Sequence, residues 1–236
     1  MATLSKEELL SMIEHGDRVA GMDLSGLTFS EVDFSGRDLS GCVIRNCRFR
    51  DCKFKETNFT SVRGRNTDFT GSEFSYTIFN KSVIKESMFP DTHFDEVKFD
   101  EADFRMSHFA NAVMRKVVAV NSDFSGANFN EAYIEDSKLI GVTMNLVVAH
   151  SACFTRTAFL KSELMGGTFG GSDFKQAILD GSLLMGSCFR KASFDGAKVA
   201  GSNFLAADLT GVQLDNFNYR EAVMENIIRR VESEEE

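Results

Sequence analysis

Three cysteines, Cys42, Cys47 and Cys52, fall in the spacing C-x4-C-x4-C. Closely spaced thiolates are the ordinary material of a zinc site. Four histidines, His15, His93, His108 and His150, are the other residues suited to metal binding or proton transfer near neutral pH. Either chemistry needs its groups to converge in space. Whether they converge depends on the element that carries them.

That element is marked by phenylalanine. Residues 91–109 read DTHFDEVKFDEADFRMSHF, with Phe at 94, 99, 104 and 109. A helix repeats its buried face every 3.6 residues and a strand every second residue, so a period of five fits neither. Taking 24, 29, 34 and so on to 214 as central positions gives 39 pentapeptides without an insertion or deletion. Of the 23 phenylalanines, 22 occupy a central position and only Phe217 does not. Two residues before each centre, from Cys42 to Val212, stands only Cys, Thr, Ser, Val, Ala or Gly. Each unit thus offers one large and one small inward residue and three outward ones. The chain must turn a corner in every unit, and four corners close a square coil of 20 residues.

This register decides the opening question. All three clustered cysteines sit at the small inward position, where a four-sided coil points them in from three different sides. They read as buried small hydrophobes rather than a metal knuckle. Cys153 and Cys188 lean outward, one residue before a centre. His93, His108 and His150 are outward on different coils, with no nucleophile in matching register. No catalytic constellation, cofactor site or metal site is expected, and the chain reads as a non-enzyme.

The pattern resembles the pentapeptide repeat proteins, whose consensus A-(D/N)-L-x-x stands nearly intact in SDFSGANFNEA (122–132) and AADLTGVQL (206–214). The resemblance covers most of the chain. It implies an all-β fold, a right-handed quadrilateral β-helix of nearly ten coils. Phe49, Phe69, Phe89, Phe109 and Phe129 then stack as a core ladder. The expected organisation is a capping helix within 1–21, the repeat over 22–216, and a helix with an acidic tail over 217–236. Ser5 and Glu8 have capping-box spacing, Leu9, Leu10 and Ile13 form an apolar face, and Gly16 suits the stop. At the other end Phe217 is too large for the small inward slot. Residues 218–231 have helical periodicity through Tyr219, Val223, Ile227, Ile228 and Val231. LDNFNYREAVMENI resembles the terminal segment through which the quinolone-resistance members dimerise, so these five residues are expected to cap the rod or to form a homodimer contact. Gly64, the one centre with no side chain, is expected to be a local packing defect filled by its neighbours.

With 20 residues per coil, Arg45, Arg65, Lys85 and Arg105 stack on one outward edge. Ser125, Asn145, Met165, Met185 and Leu205 continue it. Like charges so close repel unless acids such as Glu86 and Asp103 compensate them or an anion binds. A second edge stacks Val120, Ile140 and Leu160, an apolar strip suited to a protein contact. Charge is segregated along the rod. Residues 45–65 hold seven basic residues against Asp51 and Glu56, while Asp91, Asp95, Glu96, Asp100, Glu101 and Asp103 form an acidic stretch.

The formal charge is −9, and there is no apolar run long enough to span a membrane and no basic-then-apolar N-terminal leader. Five unevenly spaced cysteines fit a reducing compartment, so the expected location is the cytoplasm of a bacterium. The expected function is a protein-binding scaffold with no small-molecule substrate and no direct nucleic-acid contact. The resemblance implies an alternative, a DNA mimic that binds a topoisomerase (DNA gyrase or topoisomerase IV) and protects it from quinolones or toxin. It implies a further one, an effector secreted into a host cell.

Overall fold

The computed structural model describes residues 4–229. The chain begins with an α-helix, Lys6–His15, opened by a reciprocal capping box. The Ser5 hydroxyl accepts from the Glu8 N–H at 3.1 Å, and the Glu8 carboxylate accepts from the Ser5 N–H at 2.8 Å. Gly16 closes the helix in the left-handed region, with φ 76°, where a Cβ would be strained. Leu9 and Ile13 are buried in the same cluster as Leu24 and Phe29, so the helix covers the first coil. No described helix is long and apolar enough to cross a membrane.

The rest is a β-solenoid. Parallel pairing runs in steps of 20 residues, from Asp23 to Val43, Arg63, Val83, Asp103, Asp123, Thr143, Glu163, Leu183, Asn203 and Val223. The described chain therefore makes ten such steps. The strands are three residues long, with the middle residue inward, as in Arg48–Arg50 and Val113–Arg115. Equivalent centres are paired one above another, for example Phe29 with Phe49 and Phe74 with Phe94.

Phe49, Phe69, Phe89, Phe109 and Phe129 form one continuous stack, with ring centroids 5.2, 5.0, 4.9 and 4.9 Å apart and rings tilted by 12° or less. This spacing is close to the separation of neighbouring strands, because each ring rides on its own strand. Rings from adjacent faces meet edge-on, as Phe54 does with Phe69 at 5.9 Å. Parallel stacks along the rod and edge contacts across it fill the core in the two geometries aromatic rings prefer.

The small inward residues have a polar task. Ser72 and Thr67 donate to the carbonyls of Phe49 and Ile44, each at 2.6 Å, in the coil below. The Ser72 hydroxyl also accepts from the Cys52 N–H at 3.1 Å. A small hydroxyl there satisfies a buried carbonyl and a buried amide at once, which a larger apolar residue cannot do.

The expected C-terminal helix is not formed. Residues 214–216 and 219–221 make two short 3-10 turns, and the chain then resumes the coil. Val223 and Ile228 donate to the carbonyls of Ser202 and Ala207, and they accept from Phe204 and Leu209, all at 2.8 Å. The coil below presents these edge groups, and only an extended segment in register can pair with them. Phe217 is accommodated rather than expelled: it is buried and lies 5.2 Å from Phe194 in a stacked arrangement. Val231 and the glutamates at 232, 234, 235 and 236 lie outside the described residues.

Candidate binding face

One face of the rod carries two columns of outward residues. The column after each centre contains Arg45, Arg65, Lys85 and Arg105, in the order read from the sequence. The column before each centre contains Asp23, Val43, Arg63, Val83, Asp103 and Asp123, linked by the pairing ladder. Arg63 and Arg65 flank Gly64 on the strand Arg63–Arg65, which pairs with Val83–Lys85.

Arg45, Arg63, Arg65 and Lys85 surround a groove of about 260 Å³, with Gly64 and Val83 also in its lining. The stacked cations alone were legible in the repeat. Arg63 was missed because it belongs to the other column, and the face joins the two columns only when folded. The signal that could have found it is its place beside Gly64, within R-G-R. Gly64 leaves no internal void. A Cβ there would stand 3.0 Å from Ile44 Cγ1 and 3.2 Å from Thr67 Oγ1, so Ile44 occupies the space a side chain would need.

The cations are not equally free. Arg65 is held by Glu86 at 2.6 Å. Lys85 and Arg105 share Asp103, each at 2.8 Å, and Arg105 reaches Asp123 at 3.4 Å. Burial pushes the Asp103 carboxyl up, but hydrogen bonds from Arg105 and Lys85 outweigh it and hold the group below its ordinary range. Among the described residues, Arg45 and Arg63 have no carboxylate within salt-bridge distance. Arg45 exerts a long-range pull on Asp23, a minor influence beside the Ser25 hydrogen bonds that chiefly lower that carboxyl.

Farther along the same face the column after each centre becomes apolar, while the column before it holds Thr143, Glu163, Leu183 and Asn203. Met165, Met185, Leu205 and Leu183 are all half-buried. At the adjoining corner Leu146 is 69% exposed and Met106 58%. Each lies over a glycine of the next coil: a Cβ at Gly126 would strike Met106 Sδ, and one at Gly166 would meet Leu146 Cδ2 at 3.0 Å. Both glycines have positive φ, and the long apolar side chains rest on the flat corners they leave.

The second edge is buried to the same degree. Val120 and Ile140 are registered neighbours in the pair Val118–Val120 and Lys138–Ile140, and with Leu160 they are half-buried. Exposed apolar surface lies instead at Tyr76, Met106, Tyr133 and Leu146. None of these belongs to the apolar strip expected from the sequence. The expected dimer residues do not share a helical face. Tyr219 meets Phe217 edge-on at 6.2 Å, Ile227 packs on the core, and Val223 and Ile228 are 42% and 44% exposed.

The clustered cysteines are buried. The Cys42 and Cys47 thiols donate to the carbonyls of Val19 at 3.2 Å and Leu24 at 2.9 Å, and Cys52 donates to Arg50 at 3.3 Å. Burial pushes Cys47 and Cys52 up to about 11. Among the described residues, no group of three His, Cys, Asp or Glu side chains is placed to hold a metal ion.

The family model for the pentapeptide repeat region matches residues 20–89, and that for pentapeptide repeats matches 92–130, 107–145, 169–204 and 187–226. The chain belongs to the pentapeptide repeat family. No curated protein matches it. Among solved structures, QnrB1, a plasmid-mediated fluoroquinolone resistance protein, is 23% identical over 89% of each chain, with a TM-score of 0.47. HetL, a pentapeptide repeat protein involved in heterocyst differentiation regulation from the cyanobacterium Nostoc sp. strain PCC 7120, is 16% identical. That match covers 95% of this chain and 94% of HetL, with a TM-score of 0.31. Neither similarity carries function across to this pentapeptide repeat protein.

Proposed function

We propose that this pentapeptide repeat protein is a non-enzymatic scaffold that docks a protein partner on the face bearing Arg45, Arg65, Lys85 and Arg105. One observation carries the reading: the same face is cationic over its first coils and apolar at Met165, Met185 and Leu205. From Arg65 to Met165 is five coils, roughly 24 Å at strand spacing. A small metabolite does not bridge that distance, whereas a folded protein or an extended peptide does. Cations at one end favour an acid-bearing segment, and methionines at the other adapt to apolar side chains. Outward residues of a solenoid can vary without disturbing the core, which suits this use.

The test is capture of a partner by the wild type and two paired variants. Arg65→Glu with Lys85→Glu, and separately Met165→Asp with Met185→Asp, should each abolish capture without lowering the melting temperature. Capture that survives both pairs overturns the reading.

The topoisomerase reading has less support. A DNA mimic presents open carboxylates, yet Asp68, Asp103, Asp136 and Asp208 are engaged by Arg50, Arg105, Arg156 and Arg190. Protection of gyrase supercoiling from ciprofloxacin by the purified protein would reverse that preference.

A further inference from the structure

We propose that the groove over Gly64 binds a phosphate monoester dianion, carried by a phosphorylated serine or threonine of the partner. This rests on the protein-docking reading and adds the chemistry of what is recognised. Four cationic side chains line one small groove, and two of them already have carboxylates: Arg65 has Glu86, and Lys85 has Asp103. Arg45 and Arg63 have none within salt-bridge distance among the described residues. Two guanidiniums with no salt-bridged carboxylate, Arg45 feeling only the more distant Asp23, match a dianion in charge. A phosphorylated side chain carries about −1.5 to −2 near neutral pH, where a carboxylate carries one charge. Planar guanidinium forks also suit phosphate oxygens, taking them two at a time.

The surroundings argue against a long polyanion. In the column of Arg63, Asp23 stands two coils before it, and Asp103 and Asp123 stand two and three coils after. A nucleic-acid strand or an anionic membrane laid along the face would meet those carboxylates. A single anionic group set into the groove does not. Gly64 and Val83 give the groove a neutral floor, and Asp103 touches its lining only through Lys85.

The experiment is calorimetric titration of the full chain with phosphoserine-containing peptides of mixed flanking sequence, their serine and glutamate counterparts, inorganic phosphate, duplex DNA and phosphatidylserine vesicles. The phosphopeptide pool should bind at least about tenfold more tightly than either counterpart, a difference of ~1.4 kcal/mol. Arg45→Ser and Arg63→Ser should each weaken it about tenfold, and Arg48→Ser, on a neighbouring face, should leave it unchanged. Inorganic phosphate should compete, and its binding should fall with the same variants. Equal affinity for the glutamate peptides overturns the proposal, as does groove-dependent binding of DNA or vesicles in place of phosphopeptide. So does equal loss in Arg48→Ser, which would mark a diffuse charge effect. Circular dichroism of each variant separates a lost site from a lost fold. If phosphopeptide does not bind while the Met165 and Met185 pair still abolishes partner capture, this inference fails and the scaffold reading stands.

Discussion

The side chains of Arg65 and Glu86 meet fork to fork, with Nε to Oε2 at 2.9 Å and Nη2 to Oε1 at 2.6 Å. They are 21 residues apart, so the pair exists only because one coil stacks on the next. It also holds one wall of the cationic groove in check. Removing the carboxylate separates these two consequences.

Glu86→Gln should raise the affinity of the groove for inorganic phosphate several-fold, because Arg65 is released and a neighbouring negative charge disappears. The pair is exposed, so folding stability should change by less than about 1 kcal/mol. Titration at two salt concentrations checks it, and the gain should shrink at the higher one. An unchanged affinity would mean that Arg65 does not contribute.

Gly64→Ala should destabilise the fold by ~1–3 kcal/mol through overpacking against Ile44, less any gain from a stiffer unfolded chain. Thr67 cannot yield freely, because its hydroxyl is tied to the Ile44 carbonyl at 2.6 Å. With Ile44→Ala, the double variant should be more stable than the sum of the single effects predicts. Urea unfolding of the four proteins gives the coupling, and simple additivity would show that the two residues do not compete for space.

Phe89→Ala should cost roughly 3–5 kcal/mol. The ring lies between Phe69 at 5.0 Å and Phe109 at 4.9 Å, so truncation opens a gap inside the stack. Phe29→Ala, nearer the end of the same stack, should cost less cooperativity because fewer coils depend on it. Chemical denaturation of both variants distinguishes these outcomes.

Stability should fall as pH rises from about 9 to about 11, the window between the ordinary thiol value and that of Cys47 and Cys52. Burial chiefly raises both thiols, so the folded chain holds their protons where the unfolded chain releases them. The contribution is complete below the unfolded value and is lost through the folded one. Urea midpoints should decline across this range, and Cys47→Ala with Cys52→Ala should flatten the decline. In the native protein a thiol reagent should label Cys153 and Cys188, which are partly exposed, before the three buried cysteines.

Most of the core was legible in the sequence. The five-residue period marks Phe89 as inward and Ser72 as a small inward residue, without knowledge of any other coil. The stacked cations were legible too, because a fixed period of 20 makes Arg65 and Lys85 neighbours by counting. The groove was not, since Arg63 joins it across the width of a face, a distance that counting along a column never samples. At the C-terminus the helical spacing of Tyr219, Val223 and Ile227 competes with a continuing five-residue register, in which Tyr219 and Met224 are centres and Ala222 and Ile227 fill the small inward slots.

Sequence alone determined which side chains face inward, because that choice is made within each pentapeptide by size and polarity. Tertiary structure decided which outward groups become partners and which stay free. Glu86 takes Arg65, Asp103 takes Lys85 and Arg105, and Arg45 and Arg63 are left facing one groove. Those outcomes depend on side-chain reach between coils. Tertiary structure also decided that residues 222–229 extend the coil, because the edge left by residues 202–209 offers hydrogen bonds that an isolated helix cannot supply.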